Sequence, residues 1–147
     1  MSYQYKFARV LALKEREKEE ALVVYQDSVR KFEEVAEKLY ELLKKKEELE
    51  AFQSDGLQGG ISIVQIRHHQ QFIGNLEKTI NHYQKMVMNA RHRMSIYQEK
   101  LMDKNIEVKK FEKIREKDLG NFIAEMKATE SKQMDDISIQ HFMNRGS

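Results

Sequence analysis

The side chains in this sequence able to hold a metal or move a proton are its five histidines and its many carboxylates. Histidines that share a zinc ion on one helix sit three or four residues apart, so that both rings reach one point. Here His68 and His69 are adjacent, and His82 and His92 lie further along. That spacing reads as surface histidines. The carboxylate pairs Glu19-Glu20, Glu33-Glu34 and Glu47-Glu48 are adjacent too. Neighbours on a helix point in different directions, so these pairs form a solvated face and not an acid–base couple. There is no Gly-x-x-x-x-Gly-Lys loop to cradle phosphate, and no cysteine for thiol chemistry, disulfides or a thiolate zinc site. Chemistry therefore assigns no catalytic, cofactor-binding or metal residue.

The elements that carry these residues are helical. The chain has no proline and only six glycines among 147 residues, and 34% of it is charged. Little stops a helix in such a chain. No run of about 18 apolar residues is present to span a bilayer, and MSYQYKFARV has no signal-peptide core. A soluble, cytoplasmic protein is expected. Three glycines cluster in Ser54-Asp55-Gly56-Leu57-Gln58-Gly59-Gly60, which predicts a turn. One domain over residues 1–147 is expected: helix one about 3–53, turn 54–60, helix two about 61–136, and a frayed tail 137–147.

Hydrophobic spacing defines how the helices meet. On helix one, Phe7, Leu11, Lys14, Lys18, Ala21, Tyr25, Ser28, Phe32, Val35, Leu39, Leu42, Lys46 and Leu49 recur at alternating steps of four and three. On helix two, Ile66, Ile73, Ile80, Val87, Met94, Leu101 and Val108 recur every seven residues. Three residues after each come His69, Leu76, Tyr83, Ala90, Tyr97, Lys104 and Phe111. Seven unbroken heptads predict a left-handed coiled coil. The fold class is all-α: a long antiparallel two-helix coiled-coil hairpin with a C-terminal helical extension. A turn centred on Leu57 would set residue i opposite residue 114 − i, so that helix one runs out near residue 113. The seam changes there: Arg115 and Asp118 take core positions, and apolar spacing resumes at Leu119, Phe122 and Met126. That is a four-residue stutter. The wide stripe from Phe32 to Leu43 could also pair with a second copy.

Two surface features stand out. Between Glu77 and Glu99 there is no acidic residue, while Lys78, Lys85, Arg91, Arg93, His82 and His92 fill the interval. Such a band could meet nucleic acid or an acidic membrane. Complementarity to the acidic residues of helix one, Glu15 to Glu34, is the favoured explanation, since edge charges set coiled-coil pairing. Tyr40 and Phe72 lie off the seams, and the 114 − i register places them side by side. They form a partner patch, or else Phe72 widens the core beside Ile73 and Leu76.

Residues Tyr5-Lys6-Phe7-Ala8-Arg9-Val10-Leu11 open with aromatics and leucine before a charged helix. Near the other end stands Glu130-Ser131-Lys132-Gln133-Met134-Asp135-Asp136. With the all-helical plan and one turn after the first third, the chain resembles the flagellar type III export protein family FliJ over nearly its whole length. The resemblance implies a non-enzymatic stalk or adaptor, without a cofactor. Such a stalk enters the ring of the flagellar export ATPase, FliI, and promotes its assembly. It also implies contact with the membrane export gate protein, FlhA, and with export chaperones. The location implied is cytoplasmic, peripheral to the inner membrane through these partners, with no nucleic acid.

Residues 14–20, KEREKEE, run for two turns without an apolar side chain. Lys14 and Lys18 fall on the seam and are expected to lay their stems over Tyr97 and Met94. Polar, many-sided contact suits a shaft inside a ring. The expected ring-facing set is Phe7, Lys14, Arg16, Lys18, Arg115, Lys117, Lys127 and Lys132, with Tyr40 and Phe72 as the export-gate patch. The alternative is a coiled-coil export chaperone or tether without action on the ATPase.

Overall fold

A computed structural model describes residues 2–145. Two helices, α1 (Ala8–Gly59) and α2 (Ile63–Arg145), pack against each other as a hairpin, with no strand among the described residues. Gly146 and Ser147, the end of the expected tail, lie outside the described residues.

The turn is shorter and later than the glycine cluster predicts. Helix α1 does not stop at 53 but continues through Ser54–Gly59, and only Gly60–Ser62 connect the helices. Glycine costs an interior helix position about 1 kcal/mol but does not forbid it. Pairing offsets that cost, because Gln53 and Gly56 extend the four–three spacing of α1 and are half-buried. Gly60 breaks the helix with φ +82, a conformation that glycine adopts without strain. The Ile61 amide then donates to the Gly56 carbonyl at 3.2 Å, the closing bond of a Schellman motif. The Ile61 side chain lies in the space that a Cβ on Gly56 would take. Helix α2 opens with a capping box. The Gln65 amide donates to Ser62 Oγ at 3.2 Å, and the Ser62 amide donates to Gln65 Oε1 at 3.4 Å.

Moving the turn moves the register. In the unit formed by Glu20–Met102, Lys46 reaches Glu77 and Phe52 packs on His69. In the unit formed by residues 1–19 and 103–147, Lys14 reaches Glu107 and Lys104 reaches Glu17. The paired numbers total 121 to 123, not 114. The correction is one heptad. A slip of seven residues returns every seam residue to the seam, so spacing alone is blind to it.

The turn-bearing unit holds most of the apolar core: Ile73, Leu76 and Ile80 are buried. Phe32, Val35, Leu39, Leu42, Ile66, Val87 and Met94 are half-buried. His69 Nε2 donates to the Leu49 carbonyl at 2.7 Å, which sets its tautomer, since a carbonyl only accepts. In the terminal unit, Leu11 and Val108 are buried, and Leu101 and Phe111 are half-buried.

Two expectations about the ends change as well. Residues 2–5 are not helical, and α1 begins at Ala8 rather than near Tyr3. An extended segment advances about 3.3 Å per residue against 1.5 Å in a helix. Pairing therefore passes residue 113 and reaches Phe122, whose ring lies 5.4 Å from that of Tyr3. At the other end, α2 does not fray at 137 but continues to Arg145, since no glycine or proline intervenes after Gly120. Arg115 and Asp118 are exposed, and half-burial passes instead to Ile114 and Phe122.

Candidate functional site

The terminal unit answers why two helical turns carry only polar residues. Lys14 Nζ lies 3.3 Å from Glu107 and 3.7 Å from Glu17. Lys104 Nζ lies 3.2 Å from Glu17 and 3.9 Å from Glu107. The four groups close a ring of alternating charge. Each helix contributes the same motif, Lys-x-x-Glu, at 14–17 and at 104–107. Lys14 and Lys104 occupy seam positions, so the ring is a layer of the coiled coil, beside the buried Leu11 and Val108. Lys14 turns its ammonium to Glu107, one heptad beyond residue 100, which the expected register set opposite it.

Protonation follows this geometry. The hydrogen bond from Lys104 holds the Glu17 carboxyl below its ordinary range, against partial desolvation. The Glu107 carboxylate beside it raises the Lys14 ammonium above its ordinary range, against partial desolvation. Glu107 Oε2 has no well-aligned hydrogen bond, although Lys14 lies 3.3 Å away. Distance decides here: the contact is an ion pair without hydrogen-bond geometry. The layer also discriminates register. A slip of one heptad toward the expected pairing would bring Lys14 level with Lys100 and Glu17 level with Tyr97, leaving half-buried charges unpaired.

Next to this layer, an aromatic clasp secures the N-terminal segment. The Tyr5 hydroxyl donates to the Phe111 carbonyl at 2.9 Å. Phe7 packs edge-on against Tyr5 and Phe111. The Tyr3 hydroxyl donates to Asp118 at 2.9 Å. Partial burial, then Asp118, pushes the Tyr3 phenol above its ordinary pKa.

Of the expected ring-facing set, Phe7 and Lys14 are engaged inside the fold. Lys18 is half-buried on the seam, while Arg16, Arg115, Lys117, Lys127 and Lys132 are exposed. None of these last five is in an ion pair among the described residues. Tyr40 and Phe72 are not brought together. Phe72 lies under the Lys45 ammonium, 5.3 Å from its ring centre. Tyr40 precedes Lys45 by five residues, which turns it about 140° away around α1; it is 66% exposed. The favoured account of the basic band also changes. Lys78, Lys85, Arg91 and Arg93 form no ion pair with α1 among the described residues.

Three features escaped the reading of the sequence: the charged ring, the capping box and the extended clasp. Lys-x-x-Glu at seam positions of both helices was the signal for the first, and Ser-x-x-Gln for the second. No cluster of three His, Asp or Glu side chains able to hold a metal exists among the described residues. No described helix is long and apolar enough to cross a membrane. In the turn-bearing unit, the seam thins where Ser28 and Ala90 line a cleft of about 170 Å³ with Val24, Asp27, Lys31, Arg93 and Tyr97.

The fold is that of the all-α helical hairpins, here joined in its terminal unit through a charged seam layer. The family model for the flagellar FliJ protein matches residues 3–147. The flagellar FliJ protein of Bacillus subtilis (strain 168) is 54% identical over 146 residues, which cover 99% of each chain. The chain belongs to the FliJ family and is a flagellar export protein. No solved structure matches it.

Proposed function

We propose that this chain is a non-enzymatic stalk and adaptor of the flagellar export ATPase, FliI. It promotes assembly of the ATPase ring and links it to the export gate FlhA and to export chaperones. It works in the cytoplasm and reaches the membrane through those partners. The observation that carries this reading is the charged layer of the terminal unit. Its helices stay paired through the Lys14–Glu17–Lys104–Glu107 layer. Arg16, Arg115, Lys117, Lys127 and Lys132 remain exposed there for a ring of acidic or polar loops. Screening limits what each such charge contributes, so many contacts must act together.

The test is the ATP hydrolysis rate and sedimentation profile of the same organism's export ATPase, with the full chain at substoichiometric ratio. Faster hydrolysis and ring-sized particles support the stalk. Reversing Arg16, Arg115 and Lys117 together should then abolish both effects while leaving helicity intact. The chaperone or tether alternative rests on exposed apolar residues late in α2, among them Ile137 and Phe142. Unchanged hydrolysis together with binding of an export substrate or chaperone would favour it.

A further inference from the structure

In the turn-bearing unit the two helices share one seam, so their outward sides face in opposite directions. The heptad that sets the seam also sets those outward sides. On α2 the line directly opposite the seam carries Gln71, Lys78, Lys85 and His92. The outward positions on either side of it begin at Arg67 and end at Ile96, and no carboxylate stands among them. Glu77 is the one acid of α2 before Glu99; it lies on the flank and reaches back to Lys46 at 3.4 Å. Arg67, Lys78 and Lys85 are exposed and form no ion pair among the described residues. This side of α2 is therefore cationic over about 43 Å.

The outward side of α1 has the opposite sign. The line opposite its seam carries Arg30, Glu37 and Lys44. Glu33 and Glu47 stand to one side of that line, and Glu34, Glu41 and Glu48 to the other. All of these are exposed, and Arg30 is taken up by Asp27 of its own helix. The turn-bearing unit is thus split by charge across its thickness.

An anionic partner is drawn to α2 and repelled by α1, so it must touch one side of the rod only. A flat surface does so by its shape. Single-stranded nucleic acid binds through rings on which its bases stack, and the outward side of α2 does not offer them. Tyr83 and Tyr97 are half-buried on the seam, and Phe72 lies under Lys45. What stands out among the cations is apolar: Met88, one turn from Lys85, is 70% exposed. A bilayer interface accommodates both kinds of side chain, ammonium groups at the headgroups and methionine at the acyl boundary. We propose that the outward side of α2 from Arg67 to Ile96 lays the turn-bearing unit directly on an anionic lipid bilayer, with α1 turned to solvent. The attraction is electrostatic and reversible, since the surface has no apolar stripe to insert. This contact is additional to the partners proposed above and does not rest on the role at the ATPase.

The experiment is cosedimentation of the purified full chain with vesicles, with helicity as the control for folding. The chain should bind phosphatidylcholine vesicles containing about 40% phosphatidylglycerol and not pure phosphatidylcholine. Raising sodium chloride from about 50 to 500 mM should weaken binding roughly tenfold. Lys78→Glu with Lys85→Glu should weaken it by a similar factor. Lys38→Glu with Lys44→Glu makes the same change of net charge on α1 and should leave binding nearly unchanged. The chain has no tryptophan, so a single one reports its own surroundings. Met88→Trp should shift its emission to the blue on anionic vesicles, while Val23→Trp, on the outward line of α1, should not. Absence of binding at low salt overturns the proposal. So does an equal loss from the two charge reversals, or an equal shift at positions 23 and 88. Retention by soluble nucleic acid without binding to vesicles also overturns it and assigns the cationic side to that partner instead.

Discussion

The two units pair the same two helices by different means. The turn-bearing unit relies on apolar layers: Ile73, Leu76 and Ile80 are buried, and a Schellman motif and a capping box pin the connection. The terminal unit has fewer buried residues, Leu11 and Val108, and adds a charged layer and an aromatic clasp. Apolar layers are non-directional and tolerate a slip by one heptad. Charges alternate in sign and do not. The comparison teaches that stability and register are supplied by different residues: burial holds the helices together, while the turn and the polar layer decide which residues meet.

That contrast can be broken at several points. The largest effect should come from Ile80→Ala, which removes a buried side chain and should cost about 2–5 kcal/mol. Thermal or denaturant unfolding followed by helicity would read it; a loss near zero would show that the turn-bearing unit does not depend on its apolar layers. At the connection, Gly60→Ala places a Cβ at φ +82 and should cost about 1–2 kcal/mol. Gly74→Ala and Gly120→Ala meet open space and should instead stabilise by about 0.5–1 kcal/mol each. The opposite signs at Gly60 and Gly74 separate a turn glycine from a helix glycine in one unfolding series.

Smaller effects belong to the terminal unit. Tyr5→Phe keeps the ring and removes the bond to the Phe111 carbonyl, a loss of about 0.5–1.5 kcal/mol. Amide exchange should quicken around Phe7 and Phe111 and stay unchanged around Ile80. The charged layer should show its sign in pH and in exchange of charges. Glu17 is held below its ordinary 4.5, so its contribution is complete above that pH and fades as pH falls through the lowered value. Lys14 is raised above 10.5, so its contribution is complete below that pH and fades as pH rises through the raised value. Glu17→Gln should flatten the acid limb. Swapping Lys14 and Glu17 alone sets like charges across the seam and should lower the melting temperature. Swapping Lys104 and Glu107 as well should restore it, and failure to do so would mean the layer does not choose the register.

Much of the fold was legible because a heptad repeat states its own geometry. Ile66 to Val108 at every seventh position already defines a helix, its buried stripe and its supercoil, and the glycine cluster marks where the chain reverses. The candidate site was legible only in its parts: Lys14 and Lys104 stood on the seams, and nothing local said that they faced each other's glutamates. Tyr40 and Phe72 looked adjacent for the same reason that they are not, a register counted from Leu57 instead of Gly60. Periodicity is local information and is written in the spacing of side chains along one helix. Which heptad meets which depends on where α1 ends. That end was settled by the fit of Gln53 and Gly56 into the seam, the left-handed backbone of Gly60 and the pairing of charges across the helices. These energies exist only once the two helices are in contact, so tertiary structure chose among registers that the repeat itself leaves equal.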